Sequence, residues 1–354
     1  MKKCGLKVYE ESGDSLQDTK YAQIVDESMM IGSEKLLLTL GVPAEHKGRP
    51  LNCNDVNILD IAVADSWNGE AVGTQLKTAS EKVGHNPLYV ISDASIMKKG
   101  IRCAGLSHQS DISHSLGMFL ERMYKNAPDF KNYIKSMTEP KFKYNMKKIA
   151  YLLPPKQRTI ARFLNLSQWV KWSSKMFDVY HTLQAKEQAD FAFIPENASL
   201  IDELSEVTKC ISNIEYLCKN KGLSKETVNK SQQEIKRHLL SGNPRMIQLG
   251  QTIIDFLNEI KVIEDNTAYN NSSDIIESLF GKYKARKSPN NLYGVTSFIL
   301  FMPIYTKLSN GDQKKFDFKA ALEEKRIRQI KVWEKENLTT NLMQLRIKCL
   351  KKAA

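Results

Sequence analysis

Cysteine is scarce in this chain and never paired in sequence. Six occur in 354 residues, Cys4, Cys53, Cys103, Cys210, Cys218 and Cys349. No C-x-x-C occurs, and the spacings fit no zinc template. They read as free thiols in a reducing compartment. There is no G-x-x-x-x-G-K-[ST] loop, so a P-loop ATPase is excluded. No Ser-His-Asp or Cys-His arrangement can be argued from spacing alone. The opening MKKCGLKVYEE has no apolar signal core. The most apolar stretch, Tyr293 to Tyr305, contains Pro303 and is too short to span a bilayer. The expectation is a soluble, cytoplasmic protein with no membrane partner. Internal repeats and low-complexity tracts are also missing.

Acidic residues are outnumbered, 40 Asp+Glu against 52 Lys+Arg, for a formal charge of +12. Hydrophobic residues make up 42%, which fits a globular chain with a sizeable core. Such a basic excess points to a polyanionic partner, most often nucleic acid. Between Glu121 and Met176 there are 13 Lys and Arg against 3 Asp and Glu, a difference of +10. Nearly all the net charge therefore lies in one segment, with Lys141, Lys143, Lys147, Lys148, Arg158 and Arg162 as the candidate phosphate contacts. Tyr124, Phe130, Tyr133, Phe142, Tyr144, Tyr151, Phe163, Trp169 and Trp172 interleave with it. Basic side chains would neutralise phosphates, and aromatic faces stack on unpaired bases. The competing reading is an amphipathic helical unit whose aromatics are core. We take that reading for most of the aromatics and the DNA-binding one for the basic surface.

Hydrophobic patterning gives the organisation. YAQIVDESMMI reads as a strand, Gly32-Ser33 as a turn and EKLLLTLGV as a second strand, together a hairpin. VNILDIAVA is a third strand, and SWNGEAVGTQLKTASEKVG has helical spacing ending near Gly84. PLYVIS is a short apolar run of the kind found in buried parallel strands, and it stops at Asp93. From about His114 to Lys261 the patterns are almost all helical, with breaks at Pro140, Pro154-Pro155, Pro195 and Gly242-Asn243-Pro244.

A hairpin, a third strand, a helix and a buried strand describe the start of a ribonuclease-H-like fold. The expected class is α/β, a mixed-sheet core interrupted by a large all-helical insertion. The expected segments are a disordered tail (1–19), the first part of the core (20–115), a basic helical insertion (116–267), the last part of the core (268–312) and a charged helical C-terminal segment (313–354). In that geometry Asp26, in the first strand, and Asp93, at the carboxyl end of the fourth, lie on neighbouring strands where ligands of α/β sheets gather. Alternation puts Ile24, Asp26 and Ser28 on one face. A charge in so apolar a strand is costly unless a cation balances it. Two divalent ions held by carboxylates can clamp both oxygens of an in-line phosphoryl displacement. The alternatives are that Asp93 caps the helix after it and that Asp26 pairs with a buried Lys or Arg.

IVDESMMIGSEKLLLTLGV, YVISDASIMKKGI, DISHSLGMFLERM, ARFLNLSQWVKW and SDIIESLFGKYK, in this order, resemble blocks of bacterial insertion-sequence transposases with a DDE catalytic domain. The resemblance runs from about Tyr21 to Arg346. It implies Asp26, Asp93 and Glu277 as the three catalytic acids holding two Mg2+ or Mn2+ ions. It also implies transposon ends and target DNA as partners, and a homodimer. Glu277 has a rival reading, since Asp274 and Glu277 match a capping box. Asp111-Ile-Ser-His114 resembles the [C/D]-x-x-H element of several transposase groups, the hAT group among them, which implies that His114 positions a phosphate or a water. The alternative is a helix-start histidine. Lys282 and Lys284 lie just past Glu277, facing DNA backbone in this reading. The chain departs from the family's pattern after the second acid, where it has Ala94 and Ile96 in place of Gly and Asp. Only 25 residues precede Asp26, too few for the upstream domain that reads transposon ends, so a truncated or split product is expected. The remaining alternatives are another metal-dependent nuclease on the same fold and a non-catalytic DNA-binding remnant.

Overall fold

The computed structural model describes residues 1–28, 30–93, 95–156, 163, 166–260, 264, 266–308, 316–340 and 342–352, with Asn291 by its backbone alone. The chain divides into two compact units. The first is Met1–Asp111 with Ala268–Ala354, and the second is Ile112–Thr267. No described helix is long and apolar enough to cross a membrane.

The first unit opens with helix α1 (Lys2–Glu10), followed by strands β1 (Tyr21–Glu27), β2 (Lys35–Pro43) and β3 (Asn57–Ala64). Then come α2 (Gly69–Val83), β4 (Val90–Ser92), α3 (Ser95–Ala104) and β5 (His108–Ser110). The five strands form one mixed sheet in the order β3-β2-β1-β4-β5. β2 is antiparallel to both β1 and β3, while β1–β4 and β4–β5 are parallel. The register shifts between Thr39 and Leu40, so Ile58 and Ile61 of β3 can pack on the same side of the sheet. Val25, Leu37 and Val90 pack on the face covered by α2 and α3. Those two helices approach closely because Gly100 is bare: a Cβ there would sit 2.4 Å from Val72 Cγ1. Asn68 caps α2 by accepting from the Ala71 N–H at 2.9 Å, and Gly84 at φ +92° ends it.

The second unit is helical: α4 (Ile112–Tyr124), α5 (Pro128–Ser136), α6 (Glu139–Tyr144), α7 (Leu166–Val179), α8 (Ala185–Asp190), α9 (Phe193–Glu196), α10 (Ala198–Lys221), α11 (Lys225–His238) and α12 (Pro244–Glu259). Its core is built on Leu116, Leu120, Trp169, Leu204, Ile214, Ile235, Leu249 and Ile253. Arg245 of α12 pins it by binding Asp129 at 2.7 Å and Glu203 at 2.8 Å, and Glu203 also accepts from the Tyr124 hydroxyl at 2.7 Å.

The chain returns to the first unit with α13 (Asp274–Lys284), α14 (Phe301–Tyr305), α15 (Phe318–Glu324), α16 (Ile327–Asn337) and α17 (Leu342–Lys352). Ile275, Ile276, Leu279, Phe280 and Tyr283 of α13 join Ile24, Leu38 and Ile91 in the core on the second face of the sheet.

Residues 1–19 correct the expectation of a disordered tail. α1 buries Cys4, Leu6, Val8 and Tyr9, and Lys325 binds Glu10 at 2.6 Å. Gly5 lets the helix lie against the chain at Leu300, whose carbonyl oxygen would be 1.7 Å from an added Cβ. The tail looked polar because its burial rests on few residues and on contacts with residues about 300 positions away. The C-terminal segment is likewise part of this unit, since Ala321, Ile330 and Trp333 are buried.

Candidate functional site

Asp26 and Asp93 belong to the ends of two paired strands. β1 and β4 run parallel with Ile24 opposite Ile91. Asp26 lies two residues beyond Ile24 near the end of β1, and Asp93 directly follows β4. Ile24 and Ile91 both pack on the α13 side. By the two-residue period, Asp26 shares the side of Ile24. Asp26 Oδ1 accepts from the Glu27 N–H at 2.7 Å. Both aspartates are half-buried.

The third acid is on the helix that covers this face. α13 begins with Ser273 as its N-cap, and Asp274 is already helical. The capping box with Asp274 as the cap is therefore not the arrangement seen. The helix start is fastened instead by Asp111. The Asp111 carboxylate, fully buried, accepts from the Ser273 N–H at 2.6 Å and the Ser273 hydroxyl at 3.0 Å. The Asp111 N–H in turn donates to the Ser92 carbonyl at 3.1 Å, one residue before Asp93. So the beginning of α13 is bound to the end of β4, and Glu277 follows one turn later with its side chain exposed.

The far end of α13 meets β1. Burial pulls the Lys284 ammonium below its ordinary pKa, and the Asp26 carboxylate opposes that fall. Lys284 is therefore near enough to Asp26 for their charges to interact. This is the kind of cation that the ion-pair reading of Asp26 asked for. Glu277 and Lys284, seven residues apart, lie along one stripe of the helix. Lys282 is half-buried, and its Nζ donates to Cys53 Sγ at 2.7 Å.

Among the described residues, no three His, Cys, Asp or Glu side chains stand together as a metal-binding group. Asp26 thus lies near the end of β1, Asp93 just past the neighbouring β4, and Glu277 on α13, which packs on the Ile24 and Ile91 face.

The chain matches no protein-family model and no curated protein.

The remaining candidates are in the second unit. The boundary between units falls after Asp111, so the Asp111–His114 element is split across it, with His114 in the first turn of α4. Of the basic candidates, Lys141 and Lys143 are on α6, and Lys147 and Lys148 stand at the 3-10 turn Lys148–Leu152. Lys147 lies over the Tyr144 ring, 5.1 Å from its centroid, and two of the other three bond to polar partners. Lys141 Nζ donates to the Pro155 carbonyl at 2.7 Å, and Lys143 pairs with Asp190. Lys147 and Lys148 are exposed. Arg158 and Arg162 lie outside the described residues. Tyr124, Phe130, Tyr133, Tyr144, Phe163 and Trp169 are core, whereas Phe142 is 91% and Tyr151 82% exposed beside the lysines.

Sequence reasoning missed β5 and the fastening role of Asp111. β5 is three polar residues, His108-Gln109-Ser110, with no alternation to detect. The signal at Asp111 was the Asp111-Ile-Ser-His114 element, which points to His114 and not to a partner 162 residues away.

Proposed function

We propose that this chain is the catalytic part of an insertion-sequence transposase of the DDE kind, built on a ribonuclease-H-like core. The observation that carries the reading is the pair Asp26 and Asp93. Asp26 stands near the carboxyl end of β1 and Asp93 just past that of the adjacent parallel β4, while α13, with Glu277 and Lys284, packs on the sheet face of Ile24 and Ile91. The strand order β3-β2-β1-β4-β5, with only β2 reversed, supports the fold assignment. Carboxylate oxygens are the ligands that hard cations such as Mg2+ and Mn2+ prefer.

Asp26, Asp93 and Glu277 would hold the ions. When bound, two such ions supply charge stabilisation to both the attacking and the leaving oxygen of a phosphodiester. The chain's own residues do the rest. Asp111 and Ser273 fix where α13 starts, and so where Glu277 stands relative to Asp93. Lys284 presents a positive charge to a DNA backbone at the Asp26 edge. His114, four residues after β5, orients a phosphate or a water. Lys147 and Lys148 hold flanking DNA by its phosphates.

The test is cleavage of labelled duplex DNA with Mg2+ or Mn2+ by wild type and Asp93→Asn, with binding followed by fluorescence anisotropy. Wild type should nick and join strands only with metal present. Asp93→Asn should lose the chemistry and keep its DNA affinity, because a ligand and not the basic surface has been removed. Equal nicking by the variant at saturating Mg2+ would sink the reading. Hydrolysis without any strand joining would favour a nuclease on the same fold.

A further inference from the structure

A second pair of reactive groups stands apart from the acids. Cys53 opens the 3-10 turn Cys53–Asp55 ahead of β3, and Lys282 is in the last turn of α13. Both are half-buried, and Lys282 Nζ approaches Cys53 Sγ to 2.7 Å. Sulfur is larger than oxygen, yet this gap is shorter than the usual N–H···O separation of about 2.9–3.0 Å. It is longer than a covalent bond to sulfur, about 2.05 Å in a disulfide. The interval suits nitrogen and sulfur joined through one small atom.

Both partners are held. On the Cys53 side, the Asn54 N–H donates to Asn52 Oδ1 and the Asn52 N–H to Asp55 Oδ2, each at 2.9 Å. Asp55 is gripped by Arg49 at 2.6 and 2.8 Å. Lys282 projects from a helix packed on the sheet, with its ammonium 5.8 Å from the Tyr305 ring centroid. Holding two groups within reacting distance is worth a high effective concentration.

We infer that Cys53 and Lys282 form an oxidation-sensitive covalent crosslink, Sγ–O–Nζ, with dioxygen as the co-reactant. Lysine reacts as the free amine, having released its third proton to water. One atom of dioxygen enters between sulfur and nitrogen. The other leaves as water with the thiol hydrogen and one amine hydrogen. Sulfur and nitrogen each give up two electrons, and dioxygen takes all four. The link ties α13 to the loop before β3 and removes one positive charge from the helix that carries Glu277 and Lys284. It stands whether or not the chain acts on DNA.

Peptide mapping by mass spectrometry of the full chain, reduced and then kept in air-saturated buffer, tests this. The expected product is a peptide pair joining Cys53 to Lys282, one oxygen heavier and two hydrogens lighter than the two free peptides. It should take up label from heavy-oxygen gas, revert with dithiothreitol, and be missing from Cys53→Ser and Lys282→Arg. If Cys53→Ser fails to fold, Lys282→Arg keeps the charge and serves as the control. Exposed Cys103 and Cys349 report ordinary thiol oxidation in the same sample. Cys53 found only as thiol or sulfinic acid, or joined to Lys282 without oxygen, overturns the inference.

Discussion

Asp60 shows how much of this protein's chemistry is set by burial. It lies in β3, 5% exposed, with the Tyr9 hydroxyl donating to its Oδ1 at 3.3 Å. Lys82, whose Nζ is 3.6 Å from the Tyr9 ring centroid, donates to the Leu59 carbonyl at 3.1 Å. Burial pushes the Asp60 carboxyl from 3.8 up to about 6 against the opposing pull of Lys82, and it pushes Lys82 down to about 8. The folded state therefore holds the Asp60 proton more tightly than the unfolded chain does. Its stabilising contribution is full below about pH 4 and is lost as the pH rises through about 6. The denaturation midpoint of wild type, less that of Asp60→Asn, should fall between pH 4 and pH 7. A flat or rising difference contradicts the assignment. None of this was legible in VNILDIAVA, where Asp60 was one polar residue in a strand. Its partners Tyr9 and Lys82 come from α1, expected as a tail, and from the end of α2. The place of Asp26 within β1 and of Asp93 directly after β4 was legible, because apolar runs mark where strands lie and stop.

At the scale of elements, α13 matters most, and its position rests on Asp111. Asp111→Ala would strip a buried N–H and a hydroxyl of Ser273 of their acceptor, a loss of about 1–3 kcal/mol. Ser273→Ala should cost less, since the N–H bond survives. Hydrogen exchange should show the α13 amides opening faster in Asp111→Ala, with those of α2 unchanged. Uniform acceleration across both helices would mean that Asp111 supports the whole unit rather than this helix. The long helices were readable from their periodicity: the apolar residues of α10 and α12 recur at helical spacing and most of them are buried. β5 and α1 were not, for opposite reasons. β5 is too short and polar to show a period. α1 is nine residues with a glycine inside, and its partners are at the far end of the chain.

Over the whole molecule the charge is uneven, and the structure sorts which lysines are available for it. Lys147 and Lys148 are exposed, while Lys141 and Lys143 bond within the second unit. Lys147→Glu with Lys148→Glu should weaken binding to every DNA sequence. It should also flatten the log K against log salt plot by about 0.9 for each phosphate contact removed. Lys141→Glu with Lys143→Glu should change the slope less and destabilise the helical unit more. Equal slopes in the two pairs would move the DNA path to Lys282, Lys284 and the C-terminal helices. The division into two units could be anticipated from the change of pattern near His114 and again after Lys261. The central claim, that the sheet's acids are metal ligands, is tested most directly by anomalous scattering from crystals soaked in Mn2+, collected for wild type and Asp93→Asn. The account predicts manganese between Asp26 and Asp93 in the wild type, with Glu277 drawn towards it, and its loss in the variant. Saturating Mn2+ that leaves this strand end empty in wild-type crystals, with Asp26 paired only to Lys284, would contradict it.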